Sequence, residues 1–153
     1  MKIHPLAYVT LSILTALLSP SAFGDAADDI AERIRMSYEL QRAGEFEPGY
    51  GSKEGTLNFW SSGGLLQETP PGPPEELQES DLYPKHITVI VNGDSAAAMY
   101  YAEGTMTAPG GETISNYLTR VMEFYIREDG KWVVRAGHFS PVQGGRGTSQ
   151  VTP

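Results

Sequence analysis

Two Asx-Gly dipeptides in the second half of the chain constrain the fold more than any other feature. Asn92-Gly93 and Asp129-Gly130 each separate two runs that are rich in β-branched and aromatic residues. Such dipeptides favour the two-residue turns of antiparallel hairpins, because these turns need backbone φ angles above zero. The sequence therefore predicts a meander of four antiparallel strands, at residues 86–91, 95–106, 115–127 and 131–140.

An amphipathic helix precedes these strands. Residues 25–44 end at Gly44 and place five apolar side chains at helical spacing: Ala27, Ile30, Ala31, Ile34 and Tyr38. Residues 45–85 contain most of the prolines; there an aromatic-rich island at 57–68 predicts a short strand or strand pair, and PPGPP at 70–74 predicts a surface loop. The predicted fold class is α+β, with the N-terminal helix packed in a curved antiparallel sheet.

The amino terminus has the parts of a secretory signal in their usual order. Lys2 precedes an apolar run from Leu6 to Leu18, and small residues at Ala22 and Gly24 follow. The apolar run is shorter than the ~20 residues that a membrane-spanning helix needs. The sequence therefore predicts a signal peptide at 1–24, one domain at 25–141 and a flexible tail at 142–153. The mature protein would be exported, to the periplasm or the medium, with no membrane association.

Charge and residue inventory exclude several classes of function. The formal net charge is −8, and no basic stripe is present to bind a phosphate backbone, so nucleic acid is not a predicted partner. The absence of cysteine excludes disulfides and thiolate chemistry. There is no glycine-rich phosphate loop, and the three histidines are scattered, so neither a cofactor nor a metal site is predicted.

The last predicted hairpin carries ionisable residues inside runs that otherwise suit a core. A two-residue turn at Asp129-Gly130 would place Glu123 opposite Ala136 and Val121 opposite His138, so that Glu123 and His138 become diagonal neighbours on one face. A carboxylate beside an imidazole is a candidate acid-base pair. The alternative is a half-buried histidine that hydrogen-bonds the glutamate to satisfy both groups. A register slip of one residue would put the two on opposite faces.

Other residues are candidates for ligand binding. Arg120 lies in an apolar run, and a buried guanidinium must find a carboxylate, a carbonyl or a bound anion. An internal partner is one interpretation, and a carboxylate-bearing ligand is the other. Four aromatic residues are further candidates for the lining of a cavity, although aromatic side chains in strands ordinarily serve packing: Trp60, Tyr101, Tyr125 and Trp132.

A family resemblance lies in the same stretch. The pattern R-x-x-x-F-Y-I-R-x-D-G-K-W-x-x-x-x-x-H-x-S at 120–140, preceded by NGDSAAAMYYAEG at 92–104, resembles the closing strands of SnoaL-like domains of the nuclear transport factor 2-like superfamily. It is also similar to the association domain of calcium/calmodulin-dependent protein kinase II. The resemblance covers about residues 84–141. It implies a cone-shaped α+β fold with an internal pocket, commonly paired into homodimers through the outer face of the sheet, and it implies that Arg120 and His138 lie in or near the pocket.

Two functional hypotheses follow, and whether the protein is an enzyme stays open between them. The first is an exported small-molecule-binding or assembly domain, with a mostly apolar pocket for a small apolar or carboxylate-bearing ligand. The second is a small lyase, isomerase or hydrolase that uses His138 and Glu123 as an acid-base pair on a cyclic or carbonyl substrate.

Overall fold

The computed structural model describes residues 21–74, 78–107 and 110–142. Within these ranges the chain forms one helix and one six-stranded sheet: α1 (Ser21–Arg42), β1 (Thr56–Phe59), β2 (Gln67–Thr69), β3 (Glu79–Asn92), β4 (Ser95–Thr107), β5 (Thr113–Glu128) and β6 (Lys131–Pro141). No helix in this part of the chain is both long and apolar enough to cross a membrane. Most of the predicted signal peptide and all but the first residue of the predicted tail lie outside the described residues, so both stay predictions.

The strands lie in the order β2-β1-β6-β5-β4-β3. Strands β3 to β6 form the predicted antiparallel meander. The aromatic-rich island supplies the β1–β2 pair, and β1 runs parallel to β6. The α+β fold class is confirmed, but the sheet is mixed rather than wholly antiparallel, because β1 adds to the free edge of the meander in the same direction as β6.

The two hairpin turns form where glycine permits a positive φ. Asp129 and Gly130 have φ angles of 50° and 79° and form the predicted two-residue turn between Glu128 and Lys131. The other turn is one residue later than predicted, since Asn92 already pairs with Ser95. It consists of Gly93 and Asp94, and Gly93 alone takes a positive φ, of 60°. Some two-residue hairpin turns need a positive φ only at their first position, and glycine is favoured there. Gly93 occupies that first position when the turn is Gly93-Asp94, which explains the shift.

The helix packs against one face of the sheet, which we call the inner face; the opposite surface is the outer face. Ile30 and Ile34 are fully buried on the apolar stripe of α1, as the helical spacing predicts. They form one core with inward-facing residues of β3 to β6: Leu82, Ala96, Ala98, Tyr100, Ala102, Val121, Tyr125, Trp132 and Val134. Gly44, with a φ of 70°, follows the end of the helix and turns the chain away.

The meander is interrupted by three irregularities. The pairing of β3 with β4 shifts between Lys85 and Thr88, and that of β4 with β5 shifts between Gly104 and Met106. In the last hairpin, Tyr125 pairs with Val134 but Phe124 pairs with Ala136, so Arg135 is an extra residue on β6. A bulge of this kind reverses the face of every residue beyond it relative to a regular ladder.

Candidate functional site

The bulge at Arg135 separates the predicted acid-base pair. Beyond it His138 pairs with Met122, and Glu123 pairs with Gly137. His138 is exposed on the outer face, whereas Glu123 is only 5% exposed on the inner face. The predicted neighbourhood of Glu123 and His138 is therefore wrong, and one bound substrate could not contact both side chains. Their assignment as catalytic residues stays a prediction without this geometric support.

The predicted ligand-binding residues do not converge on one cavity. Tyr125 and Trp132 belong to the core on the inner face, while Tyr101 and Arg120 are exposed and pair with each other on the outer face. Trp60 follows β1, is half exposed, and stacks on Phe139 with ring centroids 4.9 Å apart. Arg120 donates a hydrogen bond to the Pro141 carbonyl oxygen at 2.9 Å, which is the internal partner that the sequence left open.

A carboxylate surrounded by tyrosines lies between the sheet and the helix. Tyr125 donates a hydrogen bond to Glu123 Oε2 at 2.7 Å, and the Tyr50 hydroxyl lies 3.2 Å from both carboxylate oxygens. The hydroxyls of Tyr38 and Tyr100 are 3.5 Å apart beside them. This tyrosine–Glu123 cluster, made of Glu123, Tyr38, Tyr50, Tyr100 and Tyr125, lies in the interior, where the resemblance implies a pocket.

A loop contact brings Tyr50 into the cluster. The Tyr50 carbonyl accepts a hydrogen bond from the Val134 N–H at 2.9 Å, and Ser52 N–H donates to the Val134 carbonyl at 2.8 Å. Arg33 of the helix holds the same loop through the Gly49 carbonyl at 2.8 Å and Glu47 at 3.1 Å. Sequence reasoning missed Tyr50, because the contacts that place it join residues far apart in the chain.

Burial controls the ionisation of the cluster. Loss of solvent raises the pKa of Glu123 above its ordinary value, and hydrogen bonds from Tyr125, Tyr100 and Tyr50 offset part of that rise. Burial, reinforced by the negative charge of Glu123, also raises the pKa of Tyr50 and of Tyr100. The tyrosines therefore stay protonated donors, and Glu123 holds its proton to a higher pH than a carboxyl group in water.

This raised pKa makes a testable prediction for Glu123→Gln. As pH rises above 4.5, the ordinary value, the unfolded chain loses the Glu123 proton while the folded chain keeps it. The free energy of unfolding of the wild type should therefore fall, by up to about 1.4 kcal/mol per pH unit, and level off above the raised pKa. Glutamine does not titrate, so the variant should gain stability relative to the wild type over that window. Urea unfolding of both proteins from pH 4.5 to 8 measures the difference.

The matched control is Glu128→Gln. Hydrogen bonds from the Ser52 hydroxyl and the Lys53 N–H lower the pKa of Glu128. That carboxylate stabilises the fold above its unfolded pKa of 4.5, and its contribution is lost only as pH falls below that value towards the lowered folded pKa. Between pH 4.5 and 8 the control should therefore be less stable than the wild type by a nearly constant amount, without the pH-dependent gain expected of Glu123→Gln. A difference in free energy of unfolding between wild type and Glu123→Gln that stays the same at every pH would contradict the assigned role of Glu123.

A small open groove lies at one end of the sheet. It has a volume of about 230 Å³ and is lined by Ser61, Ser62, Met106, Ile114, Asn116, Tyr117, Leu118, Thr119 and Pro141. Ser61 and Tyr117 hydrogen-bond each other across it at 2.7 Å. Sites for drug-sized ligands usually measure ~300–1,000 Å³ and surround the ligand. Within the described residues, no three His, Asp or Glu side chains group in a way that could hold a metal ion.

The outer face of the sheet presents three rows of side chains that cross the strands. Each row is a set of residues that pair with one another across neighbouring strands. The first row is Ile90, Ala97, Phe124, Ala136 and Leu57; the middle row is Thr88, Met99, Met122, His138 and Phe59; the third row is Lys85, Tyr101, Arg120 and Ser140. Six of these large apolar side chains are between 39% and 58% exposed: Ile90, Met99, Tyr101, Met122, Phe124 and Phe59. The three rows form a surface that is mostly apolar in its first two rows and carries Lys85 and Arg120 in the third, and exposed apolar patches of a few hundred Å² often mark interaction sites.

Comparison with known proteins identifies the fold. No family model matches the sequence, and no curated protein matches it. A putative calcium/calmodulin-dependent kinase II association domain from Exiguobacterium sibiricum superimposes with a TM-score of 0.61 at 12% identity, over 84% of this chain and 99% of that one. The association domain of the Caenorhabditis elegans kinase gives 0.57 at 15% identity, over 78% and 98% of the two chains. A nuclear transport factor 2-like protein with a cystatin-like fold from Novosphingobium aromaticivorans gives 0.56 at 14%, over 87% and 94%.

At such identities the likeness establishes the fold alone. The chain has the nuclear transport factor 2-like, cystatin-like fold, and the resemblance predicted from residues 84–141 is confirmed at that level. Because this fold carries unrelated activities, function has to be argued from the surfaces of this chain.

Proposed function

We propose that this protein is an assembly domain whose copies associate as a homodimer through the outer face of the sheet. The observation that carries the proposal is the mostly apolar surface of the first two rows. A second copy of the chain is the partner that covers it, since a two-fold interface uses the same patch on both subunits and requires no other protein.

The distribution of charge supports a second copy as the partner. The chain has 19 acidic and 11 basic residues, and the carboxylates of this face lie at its margins. Glu68 on β2 opposes Leu57 at the end of the first row, and Glu103 lies beyond Tyr101 and the third row, 3.5 Å from Lys85. Among the described residues the centre of the face therefore carries no carboxylate, and charge depletion at the centre is typical of stable interfaces.

The rows cover a projected area of moderate size. Strands lie ~4.8 Å apart and alternate residues ~7 Å apart along a strand, so three rows over five strands cover about 20 Å by 20 Å once side chains are included. That projection of about 400 Å² is half of the ~800 Å² of accessible surface that each partner buries in a standard interface, although protruding side chains make the accessible area larger than its projection. Two of the fold neighbours are described as association domains, which agrees with assembly as a use of this fold.

Ligand binding in the cone has less support. The tyrosine–Glu123 cluster lies in the interior, and the groove at the end of the sheet is small and open. A small apolar or carboxylate-bearing ligand stays a prediction from the sequence. Its test is the thermal midpoint of the purified protein against a panel of such molecules, since a ligand that binds only the folded state raises the midpoint.

The proposed self-association is tested by Met122→Glu. Met122 lies in the middle row and is 49% exposed, so the variant would place two carboxylates in an apolar interface of the dimer. We expect the dissociation constant to rise by at least tenfold, because the buried charges lack partners. Sedimentation velocity over a dilution series measures it. The matched control is Met36→Glu on the helix, where the methionine is 47% exposed and lies away from the outer face.

Two results would contradict the proposal. One is a wild-type protein that stays monomeric up to high micromolar concentration, where an interface of this size should form. The other is a dimer whose dissociation constant responds equally to Met122→Glu and Met36→Glu, which would show that net charge rather than the outer face controls association.

A further inference from the structure

His138 occupies an unusual position on the outer face. It lies in the middle of the three rows, between Met122 on β5 and Phe59 on β1, and its ring centroid is 5.8 Å from that of Phe59. It is exposed in a single chain. A second copy that covers the three rows would enclose its imidazole in an apolar surface.

The groups around His138 favour its neutral form in such an interface. Arg120, in the adjacent row of β5, is the charged side chain that the described registers place beside it on this face. The neighbouring positions on β1 and β6 are Phe59, Ala136 and Ser140, which carry no charge. Glu123 follows Met122 in the chain but points to the inner face. The carboxylates of this face lie farther away, since Glu68 opposes Leu57 on β2 and Glu103 lies beyond Tyr101 on β4. Neither occupies a position next to His138 in the same chain, whereas Arg120 does and repels an imidazolium.

We propose that His138 makes self-association depend on pH, so that protonation of its imidazole dissociates the dimer. This inference rests on the proposed assembly through the outer face. The neutral ring packs against Phe59 and Met122 with no charge to bury. The protonated ring would be a cation without a partner in a surface from which water is excluded, and its burial is costly.

The sign and size of the effect follow from linkage. The free chain binds the proton more readily than the dimer, so association weakens as pH falls. Each dimer contains two copies of His138. The dissociation constant should therefore rise about a hundredfold between pH 7.5 and pH 5.5. Net charge acts the other way, because protonation of carboxylates reduces repulsion between two chains of charge −8.

The test measures the dissociation constant at pH 7.5 and pH 5.5 at constant ionic strength. Sedimentation velocity dilution series are run on untagged protein, because a histidine tag would titrate in the same range, and circular dichroism checks that the chain is folded at both values. We expect the wild type to weaken about a hundredfold at pH 5.5. His138→Leu should lose this weakening and associate at pH 5.5 at least as strongly as at pH 7.5. His86 is the other histidine of the described residues, and its ring lies 6.3 Å from that of Tyr101 at the edge of the outer face. His86→Asn, at a φ of 54° that asparagine tolerates, should keep the pH dependence of the wild type if His138 is the responsible group.

The outcomes separate this inference from the function on which it rests. A wild type that is monomeric at pH 7.5 overturns the assembly proposal and the inference with it. A dimer with equal dissociation constants at both pH values, or a His138→Leu variant that weakens as much as the wild type, overturns the inference alone.

Discussion

Replacing Gly104 with alanine is expected to cost about 4 kcal/mol of folding free energy. Gly104 has a φ of 141° at the bulge between β4 and β5 and pairs with Leu82 on β3. A Cβ there would overlap the backbone carbonyl of Asp81. The clash is with main chain, so it can be relieved only by moving β3 away from β4. Urea unfolding at neutral pH measures the loss.

Gly93→Ala is the matched control for Gly104→Ala. Gly93 also has a positive φ, of 60°, but a Cβ there meets no atom within 4 Å. Alanine in that turn should cost only ~1 kcal/mol, the penalty of the left-handed backbone. Equal losses for the two variants would show that backbone strain alone acts at Gly104, and that the close approach of β3 and β4 has no energetic weight.

The parts of the fold that local chemistry decides were predictable. The Asp129-Gly130 turn and the alternation of apolar residues determine the last hairpin up to Tyr125 and Val134, and the structure agrees with both. The helix was predictable for the same reason, because its buried stripe recurs at the helical period. In these segments each residue's preference depends on neighbours close in the chain.

The candidate site depended on contacts that no local pattern shows. Arg135 is the extra residue in β6, and its side chain donates to the Gly55 carbonyl at 3.1 Å, 80 residues away in the chain, and lies 3.7 Å from Glu54. These loop contacts accompany the bulge that moves His138 to the outer face. The predicted acid-base pair assumed a regular ladder of paired residues in the last hairpin. Because β6 contains one extra residue, Glu123 is buried on the inner face and His138 is exposed on the outer face.

The interior was predicted as a pocket from the family resemblance, and Tyr50 was not among the residues predicted to lie in it. Tyr50 lies in a proline-rich and glycine-rich segment with no period, so nothing in the sequence directs its hydroxyl to Glu123. A glutamate in a strand of core residues did signal a polar centre. Its partner Tyr50 could not be predicted, because Tyr50 reaches Glu123 only through the hydrogen bonds between its loop and the Val134 backbone. The sequence thus identified the polar residue but not what surrounds it.

Replacing Trp132 with alanine is expected to cost about 4 kcal/mol and decides whether this residue serves packing or a ligand. Trp132 is 6% exposed and belongs to the core formed with α1, and the Arg127 guanidinium lies 4.5 Å above its ring. Truncation leaves a cavity that the helix and sheet cannot close. Truncation of a residue that lines a preformed pocket would instead cost less stability and would weaken ligand binding.

Trp132→Phe isolates the apolar part of this contribution. The indole Nε1 finds no hydrogen-bond partner among the described residues, so phenylalanine removes a buried donor while it keeps most of the ring. We expect a loss below about 1.5 kcal/mol, because the smaller ring leaves a smaller cavity and the removed donor offsets part of the cost. If phenylalanine instead destabilises as much as alanine in urea unfolding, the N–H must have a partner that holds the fold together, and packing alone does not explain Trp132.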